Sequence, residues 1–118
     1  MSYDIDLVDP VTGSCLQLDE PHQMKGGTYA VGGTNFAELN ITYNYSGIFH
    51  KVLGADGIRT IYGETGADSI PVLEDAIAAL GDDVDPDYWT ATEGNAKRSL
   101  CQLLALAKLR PDGVWRGD

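Results

Sequence analysis

The stretch Glu38-Leu39-Asn40-Ile41-Thr42-Tyr43-Asn44-Tyr45-Ser46-Gly47-Ile48-Phe49-His50-Lys51-Val52-Leu53 changes its hydrophobic period part-way along, and that change decides the fold class. Leu39, Ile41, Tyr43 and Tyr45 alternate with Glu38, Asn40, Thr42 and Asn44, as in a strand with one wet face. From Tyr45, the residues Ile48, Phe49, Val52 and Leu53 follow at i+3, i+4, i+7 and i+8, which is one face of a helix. Ser46 is placed to cap that helix and Gly54 to end it.

Upstream, the chain reads as strand. Tyr3, Ile5 and Leu7 alternate with Asp4 and Asp6. Asp9-Pro10-Val11-Thr12-Gly13 carries turn chemistry, so a hairpin is expected over residues 3–18, with Cys15-Leu16-Gln17-Leu18 as its second arm. Downstream, it reads as helix. Ser69 is expected to cap a second helix, with Pro71 in its first turn and Gly81 closing it. A third runs over residues 92–109, with Pro111 and Gly113 beyond its end. There Asn95, Arg98, Ser99 and Gln102 share an arc of roughly 100°, and nearly everything else is apolar. Such a helix is either central to the domain or also faces a second copy, as in a homodimer through residues 92–109. The expected architecture is a single α+β domain over residues 1–118: a small antiparallel sheet from the N-terminal half against about three helices from the C-terminal half, in two layers.

The 118 residues include 18 acidic and 8 basic side chains, a net charge of −10, with 43% hydrophobic residues. A chain this long buries a single core, and the composition excludes wholesale disorder and a disulfide-rich mini-fold. An evenly spread charge of this sign repels phosphate backbones and anionic lipid, so neither nucleic acid nor membrane is an expected direct partner. The start lacks the basic and apolar stretches of a secretory leader. The longest nearly apolar run, residues 100–109, is about half a membrane span. A cytoplasmic location follows as an expectation, with Cys15 and Cys101 as reduced, buried thiols.

No motif nominates a catalyst. Gly27 and Gly32 are spaced as in a phosphate loop, but Gly33-Thr34 stands where Lys-Ser/Thr would be needed. The segment 26–34 is therefore expected to serve turns or a tight crossing, with small-ligand binding by its glycines and nearby tyrosines as the alternative. Asp83, Asp85 and Asp87 match the first positions of a calcium loop, but Tyr88 and Gly94 occupy the places that need glycine and glutamate. Neither cysteine has a base in its motif, and His22 and His50 are expected to be exposed. No enzymatic activity, cofactor or metal is expected.

The acids are clustered. Residues 1–24 and 82–93 carry no lysine or arginine. Solvated surface is the ordinary reading of such runs. In the second run, however, Asp82, Asp83, Asp85 and Asp87 precede Trp89, and a carboxylate cluster beside an aromatic suits a basic partner surface. These five residues are the candidate partner-binding site; the aromatics, Trp115 included, are more often core, with an anchor role for Trp89 and Trp115 as the alternative.

The segments Gly27-Thr28-Tyr29-Ala30-Val31-Gly32-Gly33-Thr34, Asn40-Ile41-Thr42-Tyr43-Asn44-Tyr45-Ser46, Gly94-Asn95-Ala96-Lys97 and Leu109-Arg110-Pro111-Asp112-Gly113-Val114-Trp115 resemble those of a family of small acidic proteins from bacteriophages and prophages. The resemblance carries no catalytic motif and implies a mobile-element origin. In size and charge, the chain is similar to inhibitors of host defence such as anti-CRISPR proteins and DNA mimics. The leading expectation is thus an interaction protein that covers a basic, nucleic-acid-binding surface of a host protein. A self-associating assembly component and a small-ligand-sequestering domain are the alternatives.

Overall fold

Three strands alternate apolar and polar side chains and share one buried face, and the helices close over that face. The structure, a computed structural model, describes residues 1–24 and 33–118. In chain order the elements are β1 (Ser2–Val8), β2 (Gln17–His22), β3 (Thr34–Phe36), β4 (Glu38–Thr42), α1 (Ser46–Leu53), α2 (Gly66–Ala78), α3 (Glu93–Leu109) and β5 (Val114–Gly117), with 3-10 turns at Tyr43–Tyr45 and Gly57–Ile61. An antiparallel sheet of order β4-β1-β5 faces the helices, and β2 and β3 form a separate ribbon. The fold is α+β, as the change of period implies.

Register sets what each face carries. Tyr3 pairs with Ile41, Ile5 with Leu39 and Leu7 with Trp115, and all six are buried. Asp4 lies opposite Asn40, and Asp6 opposite Glu38 on one side and Arg116 on the other, which makes the outer face polar. The Arg116 guanidinium reaches the Asp6 carboxylate at 2.8 Å.

The expected hairpin over residues 3–18 is confined to its turn. Asp9 Oδ1 accepts from the amides of Val11 and Thr12 at 2.8 and 3.0 Å, and Gly13 takes φ +73°. At Leu7 the pairing changes hands: Leu7 N–H donates to Ala37 O, and Leu16 N–H donates to Leu7 O, both at 2.9 Å. Beyond Leu16 the chain leaves β1, whose edges are taken by β4 and β5, and continues as β2 against β3.

The strand of the opening stretch stops at Thr42, before its alternation does. Thr42 Oγ1 accepts from Asn44 N at 3.1 Å and starts the 3-10 turn. That turn swings Tyr45 fully into the core, 6.1 Å from Phe49 and edge-on to it. Ser46 is therefore the first residue of α1 and not its cap. In α2 the cap is Thr65, which accepts from Asp68 N at 3.0 Å. This moves Ser69 and Pro71 into the body of the helix, and α2 stops at Ala78, short of Gly81. Gly66 is required where α2 begins, because a Cβ there would lie 2.7 Å from Arg110 O.

In α3 both ends agree with the sequence, but the polar arc is split between core and solvent. Asn95 and Ser99 are buried, whereas Arg98 and Cys101 are exposed. Ser99 Oγ satisfies itself on Ala96 O at 2.6 Å. Leu100, Leu103, Leu106 and Ala107 are fully buried, so α3 is the central helix. Cys101 thus contradicts the expectation of a buried thiol. Cys15 is half-buried, and desolvation, then the charges of Asp6 and Glu38, push its thiol up to about 11.

β5 escapes the sequence reading, being short and flanked by glycine and proline. Its Trp115 is 1% exposed, a core residue and not a surface anchor, and its indole N–H donates to Ser69 Oγ at 2.8 Å. Among the described residues no helix is long and apolar enough to cross a membrane. Ser69→Ala should orphan the Trp115 N–H and cost about 1–3 kcal/mol in urea unfolding, with the fold retained.

Candidate functional site

Residues 81–92 join α2 to α3 and hold the sequence-nominated carboxylates. The connection has little apolar content of its own, so its shape is set by hydrogen bonds to the start of α3. Thr92 Oγ1 accepts from Asn95 N at 3.1 Å and caps the helix. This turns the Asn95 amide, 5% exposed, back under the loop. Asn95 Oδ1 accepts from Asp85 N at 3.0 Å, and Nδ2 donates to Asp87 O and Thr90 O at 3.1 and 3.0 Å. One buried side chain therefore binds three points of the loop. Gly94 allows the approach, since a Cβ there would sit 2.7 Å from Asp83 C and Val84 N.

The aspartates shape the same loop. Asp83 Oδ1 accepts from Gly94 N at 3.2 Å, Asp85 Oδ1 from Asp87 N at 2.8 Å, and Asp87 Oδ1 from Trp89 N at 3.1 Å. These carboxylate oxygens serve backbone amides, which is turn chemistry and not a calcium loop. Among the described residues no group of three or more His, Cys, Asp or Glu is placed to hold a metal ion.

The far side docks on the strand-to-helix switch. Thr42 N–H donates to Tyr88 Oη at 2.8 Å, Tyr45 Oη donates to Tyr88 O, and Asn44 Nδ2 donates to Trp89 O at 2.8 Å. Burial raises both phenols, Tyr45 to about 12. Tyr88 meets Trp89 in a T-shaped contact at 5.0 Å. Trp89 is 49% exposed as a residue, as is Val84.

In space the run is less anionic than in sequence. Asp82 pairs with Lys97 Nζ at 2.7 Å, and Glu93 with Lys51 Nζ at 2.9 Å. Asp83, Asp85 and Asp87 make no ion pair among the described residues. Asp82, Asp83 and Asp87 are exposed and Asp85 is half-buried. The structure thus brings all five nominated residues onto one loop. The sequence reading did not single out Val84, and it placed Asn95 only on the polar arc of the third helix. The available clue was Thr92-x-x-Asn95, a cap followed by an amide three residues on.

A second concavity, of about 590 Å³, lies over the outer face of the sheet, lined by Asp4, Asp6, Glu38, Asp118, His22 and Met24 among others. His22 is half-buried, contrary to expectation, because it works as a clasp: its Nε2 lies 2.7 Å from Phe36 O, and Nδ1 accepts from Met24 N at 3.3 Å. His50 is exposed. Of the glycine-rich segment 26–34, residues 26–32 lie outside the described residues. Comparison with protein-family models, with curated proteins and with solved structures gives no match.

Asn95→Ala should cost about 2–4 kcal/mol, with a change in Trp89 emission that reports a displaced loop. Glu93 offers a pH test. Gly81 N–H and then the Lys51 ammonium hold its carboxyl below the usual range. The folded state therefore binds this proton less readily than the unfolded chain does. The stabilisation is present above the unfolded value and is lost as pH falls through the depressed one. Glu93→Gln should lower stability at neutral pH, and the gap to the parent should narrow as pH falls below the ordinary glutamate range.

Proposed function

We propose that the chain acts by contact alone, as a phage- or prophage-type interaction protein whose loop at residues 82–89 occupies a basic surface of a host protein. The observation that carries this reading is that Trp89 and Val84, both half-exposed, stand among carboxylates on a loop pinned by a buried amide. An aromatic anchor within a polar surround is the usual make-up of an interface hot spot. A loop already ordered loses little entropy on docking. The net charge of −10 speeds encounter with a cationic surface.

The effect on the partner is competition. Asp83, Asp85 and Asp87 stand where phosphates would, and no bond is made or broken. Inhibition of a nucleic-acid-binding host defence protein follows if that surface is the one covered. Self-association through residues 92–109 has less to work with, because the leucines of that helix at 100, 103 and 106 are buried in the chain's own core.

The test is capture from a bacterial host lysate, with salt raised from about 50 to 500 mM. The parent should hold a basic protein that is released as salt rises. Asp82→Asn, Asp83→Asn, Asp85→Asn and Asp87→Asn together keep the Oδ1 acceptors and remove the charge. This variant should melt like the parent and lose at least about tenfold of the capture. Equal capture by the variant, or capture indifferent to salt, overturns the proposal.

A further inference from the structure

We propose that His22 is a proton-operated clasp: its neutral ring ties the end of the β2–β3 ribbon to Met24, and a second ring proton releases it. The two ring nitrogens meet groups of opposite kind. Nε2 lies 2.7 Å from Phe36 O on β3, and a carbonyl oxygen only accepts, so Nε2 carries a hydrogen. Met24 N–H lies 3.3 Å from Nδ1, and a backbone amide only donates, so Nδ1 presents its lone pair. Both contacts call for the same neutral tautomer, and no other state of the imidazole satisfies the two together. With Nδ1 protonated, two N–H groups face each other and the Met24 bond is lost, while the bond to Phe36 O is kept.

The clasp sits where the ribbon has little else to hold it. β2 and β3 are in register at Gln17 with Phe36 and at His22 with Thr34, and the register shifts between those pairs. His22 therefore joins the ribbon twice, by its backbone opposite Thr34 and by its ring at Phe36 O. Gly33 packs against the same residue: at φ +89°, a Cβ there would stand 2.8 Å from His22 O. Release of the Met24 amide thus frees the chain just past the last ladder pair. The charged groups around the ring are Asp4 and Asp6 of β1, Glu38 of β4, and Arg116 and Asp118, which share its concavity on the outer face. Asp19, Glu20 and Arg110 share a second one with it, and β3 carries no titratable side chain. Arg116 is paired with Asp6 at 2.8 Å and Arg110 with Asp112 at 2.8 Å. Carboxylates outnumber cations on both sides, so the charged ring is released into acidic surroundings and is not stranded.

The experiment is heteronuclear NMR of the intact protein from about pH 8 to about pH 5, a window around the ordinary histidine value. At the upper end the His22 ring should carry its proton on Nε2. As the ring takes up its second proton, the Met24 amide proton should move upfield with the same midpoint. Its exchange protection, corrected for the intrinsic rate, should fall about fivefold, the scale of one hydrogen bond. His22→Asn places an amide oxygen near the position of Nδ1 and binds no proton in this window, so the Met24 amide of that variant should not respond to pH. A neutral ring protonated on Nδ1 overturns the proposal, as does a Met24 amide that stays fixed while the ring titrates. A response that persists in His22→Asn overturns it too, and assigns the effect to another group such as His50.

Discussion

Trp115 is the largest fully buried side chain of the fold, and its one polar atom dictates much of what surrounds it. A buried indole N–H left unpaired is costly, so it needs an acceptor inside the core. Ser69 supplies one only because its own hydroxyl proton is spent on Gly66 O at 2.8 Å. That arrangement places the first turn of α2 over β5. It also brings the chain close enough that Gly66 N–H reaches Gly113 O at 2.8 Å and Trp115 N–H reaches Glu64 O at 2.9 Å. The free edge of β5 is covered in the process.

The acidic loop repeats the same logic at the other end of the helical layer. A buried amide with one acceptor and two donors meets three backbone groups of a segment that has little core of its own. The result is a polar loop with few conformations left to lose. Asp83, Asp85 and Asp87 each spend an oxygen on this ordering.

What was legible in the sequence follows from periodicity. The alternation of Tyr3, Ile5 and Leu7 and the helical spacing of α1 and α3 are local signals, and each element is present. What was not legible was set at a distance. Thr42 ends its strand early because Tyr45 must reach the core, and Thr65 takes the capping role from Ser69 because Ser69 is claimed by Trp115. Asn95 and Ser99 look solvent-facing on a helical wheel, yet they are buried because each finds a backbone partner. The five nominated residues share a loop because they are close in sequence. Their order, by contrast, depends on Asn95, whose role appears only once the helix start is folded against them.

The sheet order has a consequence for how the molecule is made. β1 precedes both of its pairing partners in sequence, and those partners come from the middle of the chain and from beyond α3. The sheet is complete only with β5, which follows the whole helical layer in sequence. Asp4 and Asp6, at alternate positions, put like charge on β1, a pattern that disfavours its pairing with a second copy. The same carboxylates make the outer face of the sheet polar.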